Sequence, residues 1–432
     1  MKTIKFPKKD DWAELLKRPT RTFKDIETTV DDIFKNIQQS GDEAVLNYTS
    51  MFDGVDLKSF EVSDTEIKNA QSEVSDELKS AIQLAKANIH KFHKAQETEP
   101  VKIETQPGVT CWQAKKPIQK VGLYIPGGTA PLFSTILMLA IPAKIAGCEE
   151  IVLCTPPDKK GNINPVTLYT AQLCGIDKVF KVGGIQAIGA MTFGTETIPK
   201  VYKIFGPGNQ YVTVAKQVAT TFDVAIDMPA GPSELLVVAD ETANPEFVAS
   251  DLLSQAEHGV DSQVVLVSTD EPTIEKVKSA IEVQLKELPR IDMATKAIDN
   301  SKFVLVKDKA SALELIDFYG PEHFIISTND DDYFVEHINN AGSVFIGKYT
   351  PESAGDYASG TNHTLPTNGY AKQYSGVNLD SFTKAITYQK ITEEGIKHIG
   401  KAVELMAEAE GLQAHKNAMT LRRIDVNTNK GS

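Results

Sequence analysis

The 432-residue sequence is poor in the features that mark several protein classes. Its four cysteines, Cys111, Cys148, Cys154 and Cys174, show neither paired metal-ligand spacing nor a dense disulfide pattern, so buried reduced thiols are the simpler reading. There is no basic run beyond the pairs Lys8–Lys9 and Lys115–Lys116, and the formal net charge is −13. Both argue against nucleic acid as a main partner, because duplex binding wants a basic face. No apolar segment reaches membrane-spanning length. The most apolar stretch, 132–146, carries Pro142 and Lys144 and reads as a buried helix. The opening residues lack the apolar core of a signal peptide, so a cytoplasmic protein with no membrane attachment is expected. No short repeat period, low-complexity segment or obvious linker appears.

What is present is an ordinary folded composition, 41% hydrophobic and 24% charged, in a chain long enough for at least two domains. Residues up to about 100 read as helical. Between Glu73 and Gln96 the apolar positions Val74, Leu78, Ala81, Ile82, Ala85, Ile89 and Phe92 recur at helical spacing. His90 and His93 lie there three apart, within reach of one metal, but the surrounding lysines favour an exposed face. From about 120, β-rich apolar runs alternate with helical stretches: 121–125, 151–154, 179–182 and 201–205, then 235–238, 264–267, 303–306, 324–326 and 344–346. Such alternation predicts an α/β fold with two Rossmann-like parallel-sheet units, 121–232 and 233–381. A helical N-terminal region, 1–120, is expected to pack with the second unit, and a helical tail, 382–432, to follow it.

Three glycine loops sit between a strand and a helix: Pro126-Gly127-Gly128, Gly183-Gly184 and Gly206-Pro207-Gly208-Asn209. Loops in such places hold phosphate at helix N-termini. The dinucleotide fingerprint G-x-G-x-x-G is nevertheless missing, since Tyr211 stands where its third glycine belongs. Each loop alone is as readily a tight turn as a nucleotide site. Together they tilt toward a phosphate-bearing ligand.

Four short segments hold residues capable of chemistry. In Ser254-Gln-Ala-Glu-His-Gly259, Gln255 and His258 share one helical face and can meet one metal, or else merely close a helix with Gly259 as its cap. Gly320-Pro-Glu-His-Phe324 puts Glu322 and His323 at a strand mouth. A histidine takes a proton near neutral pH and a carboxylate activates water, but neighbours on an extended chain diverge unless the segment turns. The loop 353–363 holds Asp356 and His363, both suited to zinc, and its length argues for function. In the tail, Glu410 and His415 alone are commonplace. Four of the eight histidines fall in these segments, an N and O donor set adequate for zinc.

The stretches VGLYIPGG (121–128), GGIQAIGA (183–190), FGPGN (205–209), AGPSE (230–234), SQAEHG (254–259), GPEH (320–323), SAGDYASGTNHTLPT (353–367) and EGLQAH (410–415) resemble, in order, the signatures of the histidinol dehydrogenase family. The resemblance implies an L-histidinol:NAD oxidoreductase that makes histidine by two successive oxidations. It implies zinc on Gln255, His258, Asp356 and His415. His323 would be the general base of both oxidations, and Glu322 would activate the water that attacks the aldehyde. Ser233, His363 and Glu410 would contact substrate, together with Gln255, His258, His323, Asp356 and His415. Tyr124, Gln186 and Asn209 would contact NAD. It also implies a homodimer in which Glu410 and His415 act in the neighbouring subunit's site.

Overall fold

The computed structural model describes residues 1, 3–19, 24–127, 131–229 and 231–428. Gly128 of the first glycine loop and Ala230 of the AGPSE stretch lie outside them. The chain forms two compact units, Met1–Gln96 with Ile118–Phe382, and Glu97–Pro117 with Thr383–Ser432.

The larger unit contains two parallel sheets. The first has five strands in the spatial order Lys178–Lys181, Glu150–Thr155, Lys120–Tyr124, Lys203–Phe205, Ala225–Ile226. The second has six, in the order Thr3–Lys5, Lys302–Leu305, Gln263–Ser268, Glu234–Ala239, His323–Ser327, Ser343–Ile346. All neighbours in both run parallel. Leaving aside the N-terminal edge strand, each sheet has the order 3-2-1-4-5 in its own strand numbering, which reverses between strands 1 and 4. The cause is the one read in the sequence. Runs such as Leu235–Ala239 and Val264–Val267 are buried on both faces, as strands covered by helices on each side must be.

The N-terminal region packs differently from expectation. The segment Lys24–Asp53, two helices parted by a kink at Gly41, and the helices Asp64–Glu73 and Asp76–Lys94 lie against helices of the first sheet, not the second. Val30, Ile33, Phe34 and Ile37 share a core with Ile188 and Met191, and Ile82, Ala85 and Ile89 share another with Ile136 and Leu139. These apolar stripes meet the outer faces of helices that are themselves nearly all apolar. Only the first residues join the second sheet, through Thr3–Lys5 at its edge and Trp12 and Leu16 in its core. The helical run expected from Glu73 breaks at Val74, because Ser75 caps a new helix by accepting the Leu78 N–H.

The smaller unit holds two further departures. Residues 97–117, expected to be part of a helical region, form the antiparallel pair Val101–Gln106 and Val109–Pro117, turned at Gly108 with φ +76°. The tail opens with a strand, Thr383–Ile391, paired antiparallel to Val109–Pro117, before the helices Glu393–Ala409 and Gln413–Thr428. These strands are mostly exposed and interleave polar with apolar residues, so they lack the long apolar runs that announce the buried sheets. All four cysteines are free, as expected, with Cys148, Cys154 and Cys174 buried and Cys111 partly so. Among the described residues no helix is long and apolar enough to cross a membrane.

Candidate active site

The reversal of strand order in the first sheet falls between Lys120–Tyr124 and Lys203–Phe205. Loops leaving the carboxyl ends of those strands open a crevice there. Gly206 takes φ +133°, and a Cβ on it would meet the Tyr124 carbonyl oxygen at 2.1 Å, so close backbone approach demands glycine. The loop is braced from below. The Gly206 N–H donates to Asp227 (2.9 Å), Lys216 donates to the Gly206 carbonyl (2.8 Å), and Lys216 and Asp227 form a buried ion pair. Asn209 caps the helix Gln210–Ala219 by accepting the Val212 N–H at 3.1 Å. Tyr124, buried at its strand end, accepts the Gly184 N–H on its hydroxyl (3.2 Å), and burial raises its phenol to about 12. Gln186, 1% exposed, stands in the first turn of Gly184–Phe193 and donates to Asp53 (3.3 Å).

The second sheet contributes its opposite end. Glu234 and His323 are the first residues of adjacent strands. The Glu234 N–H donates to the Glu322 carboxylate at 2.9 Å, and the Glu234 carbonyl lies 3.1 Å from His323 Nδ1. One residue's backbone thus positions both members of the pair. Gly320, left-handed at φ +62°, ends the preceding helix and supplies the turn that lets Glu322 and His323 face one region, with Glu322 Oε2 3.7 Å from His323 Nδ1. Since a carbonyl only accepts, Nδ1 carries the proton and Nε2 keeps its lone pair. Among the described residues Nε2 has no hydrogen-bond partner, although it is buried. Burial depresses the imidazole to about 3, and the facing His258 and His363 rings add to this, so it is a neutral base across the working range.

Around that nitrogen the site is crowded with acids. Burial raises the Glu322 and Glu352 carboxyls well above their usual values, and the mutual repulsion of neighbouring carboxylates adds to it. Asp356 and Asp251 are each pushed up to about 7 by burial. Asp356 Oδ1 is 3.8 Å from His323 Nε2, and Glu352 Oε1 is 3.9 Å from His323 Nδ1. His258, Glu352 and Asp356 offer ligand atoms within 4.8 Å of one another. Gln255, fully buried, turns its amide so that nitrogen donates to Glu352 and oxygen accepts the Glu234 N–H. His258 stands just beyond the helix Pro245–Ala256, which ends through Glu257 rather than at Gly259. His363 is fixed on both sides, with Nδ1 2.9 Å from the Asp356 carbonyl and Nε2 3.2 Å from Thr135 Oγ1, and burial lowers it to about 4. An uncompensated acid cluster with an orphaned Glu352 Oε2 and an orphaned imidazole nitrogen suits a divalent cation with N and O donors.

A cleft of about 330 Å³ joins the two sheets' contributions. From the first come Pro126, Pro207, Gly208 and Asn209, and from the second Ser233, Gln255, His258, Glu322, His323, Asp356 and His363. Nine of the twelve residues expected at the site thus line this cleft or the adjoining strand ends. Glu410 and His415 belong to the smaller unit and are exposed there. His90 and His93 do not pair: His90 is exposed, while His93 is buried with Nδ1 on the Ile89 carbonyl.

The sequence reading missed Glu352, Glu234, Arg18 and Asp251. Glu352 lies four residues before Asp356 in the short helix Glu352–Tyr357, a spacing that signals a shared face. Glu234 is buried against Arg18, whose Nε donates to it at 2.7 Å and whose guanidinium stacks 3.9 Å from the Tyr319 ring. Nothing local announces that contact across 216 residues.

Comparison with known proteins identifies the family. The family model for histidinol dehydrogenase matches residues 16–423. The histidinol dehydrogenase of Bacteroides thetaiotaomicron is 61% identical, over 98% of this chain and 99% of its own. That of Escherichia coli O6:H1 is 53% identical, over 95% of this chain and 94% of its own. The crystal structure of histidinol dehydrogenase from Elizabethkingia anophelis superposes with a TM-score of 0.97 at 55% identity, covering 99% of both chains. With the matched stretch running through both sheets, every cleft residue and the tail, the chain belongs to the histidinol dehydrogenase family.

Proposed function

We propose that this chain oxidises L-histidinol through L-histidinal to L-histidine, the last step of histidine biosynthesis, as a zinc-dependent, NAD-linked cytoplasmic enzyme. The observation that carries the reading is His323: a neutral imidazole with its proton committed to the Glu234 carbonyl and a bare Nε2 in the cleft where the glycine loops meet the acid cluster. In the first oxidation His323 Nε2 takes the alcohol proton as the carbon gives up hydride, and it releases that proton to solvent before the second. In the second, Glu322 takes a proton from the water that adds to the aldehyde, and His323 takes the proton of the hydrate. Two NAD molecules, bound in turn, would each accept one hydride, and zinc would orient the substrate's amino and imidazole nitrogens.

Zinc would be held by Gln255, His258 and Asp356, with His415 of the partner subunit as the remaining ligand. Glu352 stands behind Gln255 and steadies its amide. Ser233, His363 and the partner subunit's Glu410 would hold substrate. The exposure of Glu410 and His415 in their own unit supports a homodimer that completes each site in trans. Tyr124, Gln186 and Asn209 would hold NAD. The test is NADH formation at 340 nm from L-histidinol by zinc-loaded protein. Two NADH per substrate, lost on chelation and restored by zinc, is the expected result. No turnover by metallated dimer overturns the histidinol assignment and directs attention to other polar alcohols.

A further inference from the structure

Asp53 ends the helix that follows the Gly41 kink in Lys24–Asp53, where the helix dipole disfavours a negative charge, and Gly54 follows with φ +70°. Among the described residues no basic side chain offsets it, and burial raises its carboxyl to about 6. Its side-chain contact is with Gln186 Nε2, in the first turn of the helix that begins at the Gly183-Gly184 loop. The other amide atom, Gln186 Oε1, is buried without a partner among the described residues, and a Cβ on Gly184 would lie 3.0 Å from it. A glycine helix N-terminus whose Gly184 N–H meets the Tyr124 hydroxyl, a buried orphan acceptor and an uncompensated carboxylate therefore converge at the carboxyl end of the first sheet.

We infer that Asp53 binds the adenosine ribose of the dinucleotide, accepting its vicinal hydroxyls, and so makes the enzyme select NAD over NADP. The inference rests on the reading of Tyr124, Gln186 and Asn209 as the dinucleotide site. Asn209 lines the reaction cleft, whereas Tyr124, Gln186 and Asp53 do not. That division puts the nicotinamide end by Asn209 and the adenosine end by Asp53. The Gly184 end of the helix is left to the pyrophosphate between them. A carboxylate accepts two hydroxyl protons readily but repels a 2′-phosphate, the same logic by which an acidic residue selects NAD in other dinucleotide folds. The acid comes here from an N-terminal helix rather than from the end of a strand, so the fingerprint spacing does not reveal it.

The test is calorimetric titration of zinc-loaded protein with NAD and with NADP, alongside NADH formation. Wild type should bind NAD and discriminate strongly against NADP. Asp53→Ala should weaken NAD by ~10- to 100-fold while leaving NADP no weaker, the loss expected for hydrogen bonds to a charged group. Asp53→Asn keeps the shape and the contact with Gln186 while removing the charge. It should regain part of the NAD affinity and bind NADP more tightly than wild type. Unchanged NAD affinity and an unchanged NAD-to-NADP ratio in both folded variants overturn the role of Asp53 and leave the nucleotide site standing. Failure of wild type to bind NAD, or wild-type NAD affinity in Gln186→Ala, overturns the site reading beneath it.

Discussion

The two parallel sheets of the larger unit share one strand order but are used at opposite ends. In the first, the loops leave the carboxyl ends of Lys120–Tyr124 and Lys203–Phe205, where strand order reverses. In the second, the buried residues Glu234, Glu322 and His323 gather at the amino ends of the corresponding strands, Glu234–Ala239 and His323–Ser327. The difference follows from what each end leaves free. Carboxyl ends lead into helix N-termini, which suit phosphate. At the amino end, the Glu234 N–H can hold a carboxylate and its carbonyl can fix an imidazole tautomer. Topology alone points to the first kind of site and is silent on the second.

The sharpest way to break the comparison is at the amino end. His323→Asn should lower kcat for L-histidinol by about 10²- to 10⁴-fold, the range for a positioned general base, while zinc content stays at wild-type level. Metal analysis beside steady-state kinetics checks this. Glu322→Gln should slow oxidation of L-histidinal more than of L-histidinol, because only the aldehyde step needs an activated water. Equal losses in both half-reactions would mean that the pair does not divide the work.

The next largest effect concerns what holds that end in place. Glu234 is fully buried, its carboxylate paired with Arg18 and accepting the Asn368 N–H. Arg18→Met strands the Glu234 carboxylate and should cost about 3–5 kcal/mol of stability, read from denaturant unfolding. A surviving folded fraction should show a lowered kcat with an altered pH profile, because the backbone of Glu234 orients both Glu322 and His323. A purely structural pair would cost stability and leave the pH profile alone. At the carboxyl end of the first sheet, Gly206→Ala forces the loop off the Tyr124 carbonyl. It should weaken NAD binding by about 1–3 kcal/mol with little effect on zinc content, as calorimetry would read.

The same contrast explains what was legible in the sequence. Both sheets could be read because Val121–Ile125, Val264–Val267 and their counterparts are continuous apolar runs, the mark of strands buried on both faces. Glu322 and His323 were visible as types, but their joint use depends on the Gly320 turn and on a backbone contact with Glu234, 88 residues earlier. Glu352, Asp251 and Arg18 act through contacts that no spacing encodes, apart from the four-residue step from Glu352 to Asp356. The hairpin 101–117 was hidden for another reason. Its partner, Thr383–Ile391, lies far along the chain, and its strands interleave exposed polar and apolar residues instead of forming a continuous apolar run. The N-terminal helices were read as helices but assigned to the wrong sheet, since an apolar stripe specifies that it is covered and not by what.

The smallest effect separates the ends by their response to pH. Asp356 is held near 7 by burial, so the folded chain keeps its proton more tightly than an unfolded one does. In metal-free protein this removes stability as pH rises from the ordinary carboxyl value toward 7. A bound cation reverses the preference. The ionised fraction of a group near 7 climbs from about a tenth at pH 6 to about nine tenths at pH 8, so zinc should bind about tenfold, or about 1.4 kcal/mol, more tightly at pH 8. Thermal unfolding with and without zinc at the two pH values reads this as a larger zinc-induced rise in Tm at pH 8. His258 should add less to the slope than an ordinary imidazole would, because burial already holds it below its usual value. Asp356→Asn should flatten the pH dependence and weaken zinc, while NAD binding at the carboxyl end of the first sheet stays level across the same interval. A zinc affinity with no slope between pH 6 and 8 would place the metal's anionic ligand elsewhere in the acid cluster, and the still more strongly shielded Glu352 would be the residue to change next.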